Sequence, residues 1–203
     1  MGAICGIDFD NTIVSYDTLF HKVGVESGLV PKDTPVSKLA VRDHLRAIGR
    51  EEVWTEMQGL VYGARLLEAE PFPGLVEFFR WARHVGIEVC IVSHKTKHPF
   101  IGPKYDMHAI AREWVHVMLR EDGDLLVPEA DTFFELTKEE KVQRIGACRC
   151  DYFIDDLPEI LRAPGFPAST IPVLFAPGGG AQADIDLTMT NWDAVRAHLD
   201  ARR

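Results

Sequence analysis

The chain has 203 residues, with 22 Lys and Arg against 31 Asp and Glu, for a formal net charge of −9. That length allows one sizeable core and a small accessory domain, and the acidic balance argues against non-specific nucleic-acid binding, which needs a basic face. No apolar run approaches the roughly 20 residues needed to cross a bilayer, and strand-like sequence begins without the basic start and apolar stretch of a signal peptide, so a cytoplasmic protein that engages no membrane is expected.

The first element is the apolar run "AICGID", which continues into "FDNT". It reads as a buried strand ending in two carboxylates, Asp8 and Asp10, which share a face at strand spacing. Two like charges so placed resist joint ionisation unless a cation or a proton intervenes. A metal, a shared proton or a solvated turn is therefore implied. The next stretch breaks the pattern. "TLFHKVGVESGLV", "VSKLAVRDHLRAIG" and "EEVWTEMQGLVYGARLLE" carry apolar residues at intervals of three and four, the helical signal. No strand is expected among them, and the insertion is large enough for a small cap domain. Trp54, Met57 and Tyr62 fall on one helical face and are expected to form its core.

Alternation of helix and strand resumes near Pro73. "GLVEFFRWARHVG" is a helix bounded by Pro73-Gly74 and Gly86. The strand "IEVCIVSH" follows, ending in Ser93 and His94. Lys95, Lys97 and His98 extend this into a basic cluster, either a solvated loop or a surface turned toward an anion. "PFIGPKYDMHAIAREW" supplies turn residues and then a helix, with Lys104, Tyr105 and His108 either in structural roles, the preferred reading, or reaching the site. "DTFFEL" can add a strand. "KEEKVQRIGA" is a helix with Lys138 and Lys141 one turn apart on one face. "CDYFIDD" is a strand ending in Asp155-Asp156, an adjacent acidic pair that is costly after an apolar run without a cation. "PEILRA", "STIPVLFAP" and the Asn-capped "NWDAVRAHLDAR" complete the series, with Gly178 to Gly180 as a short loop. Strands alternating with helices indicate an α/β domain with a parallel sheet. Of the four cysteines, Cys5 and Cys90 read as small buried hydrophobes. Cys148 and Cys150 flank Arg149, too close for the usual paired zinc ligands, so no metal or redox role is expected of the four.

Ligands in open parallel α/β sheets bind beyond the carboxyl ends of the strands, where Asp8, Asp10, Ser93, His94, Asp155 and Asp156 all fall. In this order the motifs resemble those of the haloacid dehalogenase superfamily of aspartate-nucleophile phosphatases. "DFDNT" looks like its first motif, "CIVSH" its second, "KEEK" its lysine motif and "FIDD" its acidic fourth motif. The resemblance runs from Ala3 to about Glu159, and the insertion sits where that superfamily places its first type of cap. It implies a Rossmann-like core of residues 1–12 and 73–203, with a helical cap at 13–72. It also implies Mg²⁺-dependent hydrolysis of a small phosphorylated metabolite (a nucleotide, sugar phosphate or amino-acid phosphate) through an aspartyl-phosphate.

By the same resemblance, Asp8 is the nucleophile. Asp10 is general acid and then general base, with its backbone carbonyl on the metal. Ser93, His94 and a lysine hold the phosphate; Lys141 is preferred to Lys138, which looks placed to start its helix. Asp156 is the direct metal ligand of the acidic pair, with Asp155 beside it, and Glu159 is either a further acidic neighbour or an ordinary helix-start residue. Oxygen donors of this kind suit Mg²⁺ better than zinc. Dehalogenase members lack the second aspartate, so Asp10 favours phosphoryl chemistry. The alternatives are a phosphomutase built on the same aspartates and a catalytically silent phosphate-binding module, the latter opposed by the intact acidic and cationic set.

Overall fold

The computed structural model describes residues 2–179 and 185–203, so that Gly180, the end of the glycine loop, lies outside the described residues. In chain order the elements are β1 (Ile4–Ile7), β2 (Val14–Ser15), α1 (Asp17–Glu26), α2 (Lys38–Ala47), α3 (Glu51–Tyr62), β3 (Glu70–Pro71), α4 (Leu75–Val85) and β4 (Glu88–His94). There follow α5 (Met107–Met118), β5 (Arg120–Glu121), β6 (Asp124–Leu125), β7 (Thr132–Glu135), α6 (Lys138–Ala147), β8 (Tyr152–Asp155), α7 (Pro158–Leu161), β9 (Ile171–Phe175), β10 (Thr188–Met189) and α8 (Trp192–Asp200). They form two units, one of residues 1–14, 71–95 and 116–203 and one of residues 15–70 and 96–115.

The first unit is built on a six-stranded sheet of order β10-β9-β8-β1-β4-β7, parallel throughout. The architecture is therefore α/β with an inserted helical region. From β1 the chain first builds outward through β4 and β7, then returns to the other side of β1 with β8, β9 and β10. That reversal opens a crevice at the carboxyl ends of β1 and β8, the usual ligand position in such sheets. Local signals explain the helices. Gly74 and Gly86, both at positive φ, bound α4, a conformation that costs glycine little. A Thr137–Glu140 capping box starts α6, and Asn191 accepts from the Ala194 amide at the start of α8. Phe78, Phe175 and Trp192 pack ring against ring at centroid separations of 4.9 and 5.2 Å, joining α4, β9 and α8 in one core.

The second unit holds α1, α2, α3 and α5 as far as Val115. Trp54 and Met57 are buried and Tyr62 half-buried, with Phe20 tilted against Trp54 at 4.9 Å and Tyr16 edge-on to Tyr62 at 4.9 Å. Residues 96–115 lie in this unit, although the sequence reading gave them to the core. Trp114 donates its indole N–H to the Ala69 carbonyl at 2.8 Å, and Gly63 has no room for a side chain against the Tyr105 ring. Two short strands, β2 and β3, occur where none was expected. They are two residues each, too short to show as alternation. Among the described residues, no helix is long and apolar enough to cross a membrane.

Candidate active site

The first strand delivers Asp8 to the crevice as a continuation of its ladder, the Asp8 amide donating to the Ile154 carbonyl at 2.9 Å. The chain must then turn at once. Ile13 and Val14 both donate to the Phe9 carbonyl, and Asn11 takes the left-handed conformation, φ 59°, which Asn tolerates better than most residues. Phe9 is fully buried against Phe134. Asp8 and Asp10 are thereby left facing the crevice on either side of an apolar anchor.

Side chains from three further elements converge on Asp8. Ser93, near the end of β4, donates its hydroxyl to Asp8 Oδ1 at 2.9 Å. Lys141, in the first turns of α6, donates to the same oxygen at 2.6 Å and to Asp155 Oδ2 at 2.6 Å. Lys141, Asp8 and Asp155 are 1%, 4% and 0% exposed, so these are desolvated ion pairs. Burial works against the Lys141 charge, but Asp8 and Asp155 outweigh it and hold the ammonium above its ordinary range. Burial pushes the Asp155 carboxyl up, against the pull of Lys141. Its other oxygen accepts from the Leu157 amide at 2.9 Å. Lys138 lies outside this cluster and pairs with exposed Glu159 at 3.2 Å.

Asp10 is engaged by Lys95, whose ammonium donates to both carboxylate oxygens at 2.8 and 2.7 Å. Lys95 is itself 5% exposed and fixed through its backbone amide on the Glu135 carbonyl of β7. Sequence reading placed Lys95 only within a basic cluster. His94 ends β4 half-buried, and burial, then the Lys141 charge, lower its pKa and favour the neutral imidazole. His98 donates from Nδ1 to the Tyr105 carbonyl within the helical unit, so the run from Ser93 to His98 is not one functional loop.

Asp8, Asp155 and Asp156 each offer a carboxylate oxygen, and these atoms all lie within 4.8 Å of one another. Lys141 is one cation shared by two buried carboxylates, Asp8 and Asp155, and burying the remaining charge is unfavourable without a further cation or a proton. Hard oxygen donors at this spacing fit a divalent ion of the Mg²⁺ or Ca²⁺ kind, and no soft ligand is among them.

No protein-family model and no curated protein matches the sequence. Solved structures do. A hydrolase from Haemophilus somnus 129pt described as a predicted phosphoglycolate phosphatase superposes with TM-score 0.59 and 12% identity, over 100% of this chain and 98% of that one. A haloacid dehalogenase family hydrolase from Deinococcus radiodurans R1, with bound phosphate and sodium, gives TM-score 0.56 and 17% identity over 98% and 96%. A family IA, variant 3 hydrolase from Entamoeba histolytica gives 0.56 and 11% over 95% and 94%. The chain thus has the haloacid dehalogenase-like fold over its length.

Proposed function

We propose that this protein is a divalent-metal-dependent phosphatase of small phosphomonoesters, working through an aspartyl-phosphate on Asp8. The observation that carries the reading is the state of the Asp8 carboxylate. Ser93 and Lys141 both donate to Oδ1, and among the described residues nothing donates to Oδ2. One oxygen is anchored and the other is left to attack. A carboxylate held in this way has the fixed orientation that nucleophilic displacement at phosphorus requires.

Asp8, Asp155 and Asp156 would hold the metal, with the Asp10 backbone carbonyl beside them. When bound, it supplies charge neutralisation between a dianionic phosphate and the carboxylates. The chain's own groups do the rest. Asp8 Oδ2 forms a bond to phosphorus as the ester P–O bond breaks, and Asp10 gives its proton to the departing alkoxide. A water then attacks the same phosphorus, Asp10 takes its proton, and the Asp8–phosphorus bond breaks to release phosphate. Lys141 stays against Asp8 throughout and stabilises charge on the phosphoryl oxygens, as Ser93 does by donating its hydroxyl. Lys95 must let go of Asp10 for the proton to be donated, because an ammonium on both oxygens favours the ionised carboxylate. A phosphate arriving beside Lys95 offers that ammonium another anionic partner. The half-buried His94 is a further hydrogen-bond donor for the phosphate.

The structurally similar Deinococcus hydrolase has phosphate and sodium bound, which supports a site that takes an anion and a cation. In this reading the sheet unit does the chemistry on a phosphorylated metabolite. The test is phosphate release from 4-nitrophenyl phosphate, with EDTA and with Mg²⁺. Metal-dependent release that is lost in Asp8→Asn supports the reading, and equal activity in both proteins ends it. Interconversion of sugar phosphates without net release would instead indicate a phosphomutase.

A further inference from the structure

At the opposite end of the strands from Asp8 lies a cavity of about 620 Å³, lined by Ile4 and Glu88 at the starts of β1 and β4 and by Phe79, Asp131, Cys90 and Cys148. The phosphatase chemistry uses none of these residues. Cys90 is buried on β4, Cys150 is buried just before β8, and Cys148 is half-buried and packs against the same cluster. Cys90 is in register with Gly6 of β1, and a methyl group at Gly6 would come within 2.7 Å of the Cys150 sulfur. The bare glycine lets Cys90 and Cys150 meet across the strand, sulfur to sulfur at 3.7 Å.

These neighbours do not have equal chemistry. Cys90 and the segment carrying Cys150 flank β1 on opposite sides, two strand spacings or about 9–10 Å apart. A disulfide needs Cα atoms within about 7 Å, so this pair cannot close while the sheet is intact. Cys148 stands differently. It caps the carboxyl end of α6, which packs on β4, and it shares the cavity lining and the surrounding apolar cluster with Cys90. The neighbouring Cys90 thiol and then the Arg144 guanidinium lower the Cys148 pKa to about 7, against the effect of burial. Cys90 is raised by its sulfur neighbours and by burial, and Cys5 by burial. Cys90 and Cys148 both line the cavity, and Cys148 is the less buried of the two.

We propose that Cys148 is a site of reversible oxidation by hydroperoxides, with Cys90 as the thiol that closes a disulfide. In the first step the Cys148 thiolate attacks one oxygen of hydrogen peroxide and the O–O bond breaks. The hydroxide that leaves takes the proton lost when Cys148 ionised, giving water and a Cys148 sulfenic acid. In the second step the Cys90 sulfur attacks the Cys148 sulfur and the S–O bond breaks. A second water leaves with the Cys90 proton. Two thiols have given two electrons to one peroxide, and the product is one disulfide and two waters. The link ties β4 to the helix that carries Lys141.

The test uses the full-length wild-type protein, hydrogen peroxide and mass spectrometry, and so does not depend on the phosphatase reading. Trypsin cuts after Arg83, Lys95, Arg144 and Arg149, which puts Cys90, Cys148 and Cys150 on separate peptides. The expected product is a disulfide between peptides 84–95 and 145–149, reversed by dithiothreitol, retained in Cys150→Ser and at least tenfold reduced in Cys148→Ser. Before oxidation, iodoacetamide at pH 7 should label Cys148 roughly tenfold faster than Cys5. A disulfide from 84–95 to 150–162 overturns the proposal. So does Cys148 that is labelled and oxidised no faster than Cys5.

Discussion

Replacing Lys141 by Met removes a cation from between two buried carboxylates at nearly constant volume. At 2.6 Å from each of Asp8 and Asp155, the ammonium gains about 6 kcal/mol per pair at an effective dielectric of about 20, most of it offset by the cost of burying the ions. What the substitution leaves behind matters more. Asp8 and Asp155 face each other with no counter-charge, and breaking a buried pair in this way costs about 3–5 kcal/mol. For a chain of this size each kcal/mol moves the unfolding midpoint by about 2–4 °C, so the expected drop is about 6–20 °C in EDTA. Mg²⁺ should recover some of it by supplying the missing positive charge among the same carboxylates. The assay is thermal unfolding followed by circular dichroism, with and without Mg²⁺. Lys138→Met is the control, because its partner Glu159 is exposed and such pairs contribute little. Equal drops for the two variants, or a Lys141→Met midpoint within a degree of wild type in EDTA, would refute this account of the site.

Four further outcomes are expected. Asp8→Asn should lower phosphate release from 4-nitrophenyl phosphate at least a thousandfold while moving the unfolding midpoint by only a few degrees, since the amide keeps the shape and loses the nucleophile. Asp156→Ala should raise the Mg²⁺ concentration for half-maximal activity roughly tenfold or more, and an unchanged requirement would remove Asp156 from the metal site. Lys95→Met should raise the rate on an alkyl phosphate, whose leaving group needs the Asp10 proton, several-fold relative to that on 4-nitrophenyl phosphate, whose leaving group does not; an unchanged ratio would deny Lys95 a role in holding Asp10 ionised. In the helical unit, Arg65 and then Lys22 pull the Glu68 carboxyl from 4.5 down to about 2. A depressed carboxyl stabilises the fold above its unfolded pKa and ceases to do so as pH falls through its folded one. The stability difference between wild type and Glu68→Gln, under about 1 kcal/mol for so exposed a cluster, should therefore be present at pH 7 and fade between about pH 4.5 and 2.

The features legible in the sequence were those that the backbone imposes locally. Asp8, Ser93 and Asp155 each stand at or just beyond the carboxyl end of an apolar run, and parallel strands align those ends whatever lies between them. Motif order therefore carried spatial information, and the place of Lys138 at the start of its helix favoured Lys141 over it. The hairpin of β5 and β6 was also within reach, because Asp122 and Gly123 both take positive φ, the requirement of the tight turn that Asp-Gly signals. The rest depends on contacts with no local trace. The bond from Lys95 to Asp10 spans 85 residues, and nothing around Lys95 separates it from Lys97, which faces Asp106 in the helical unit. The placement of residues 96–115 depends on Trp114 finding the Ala69 carbonyl, a hydrogen bond that periodicity cannot foresee. Cys90 reads as a buried hydrophobe and Cys148 and Cys150 as a pair too close for zinc, and the meeting of Cys90 and Cys150 depends on Gly6 leaving open the space between β4 and β8. A side chain at position 6 would push the Cys90 and Cys150 sulfurs apart without altering any cysteine, so their chemistry is a property of the sheet and not of their spacing in the chain.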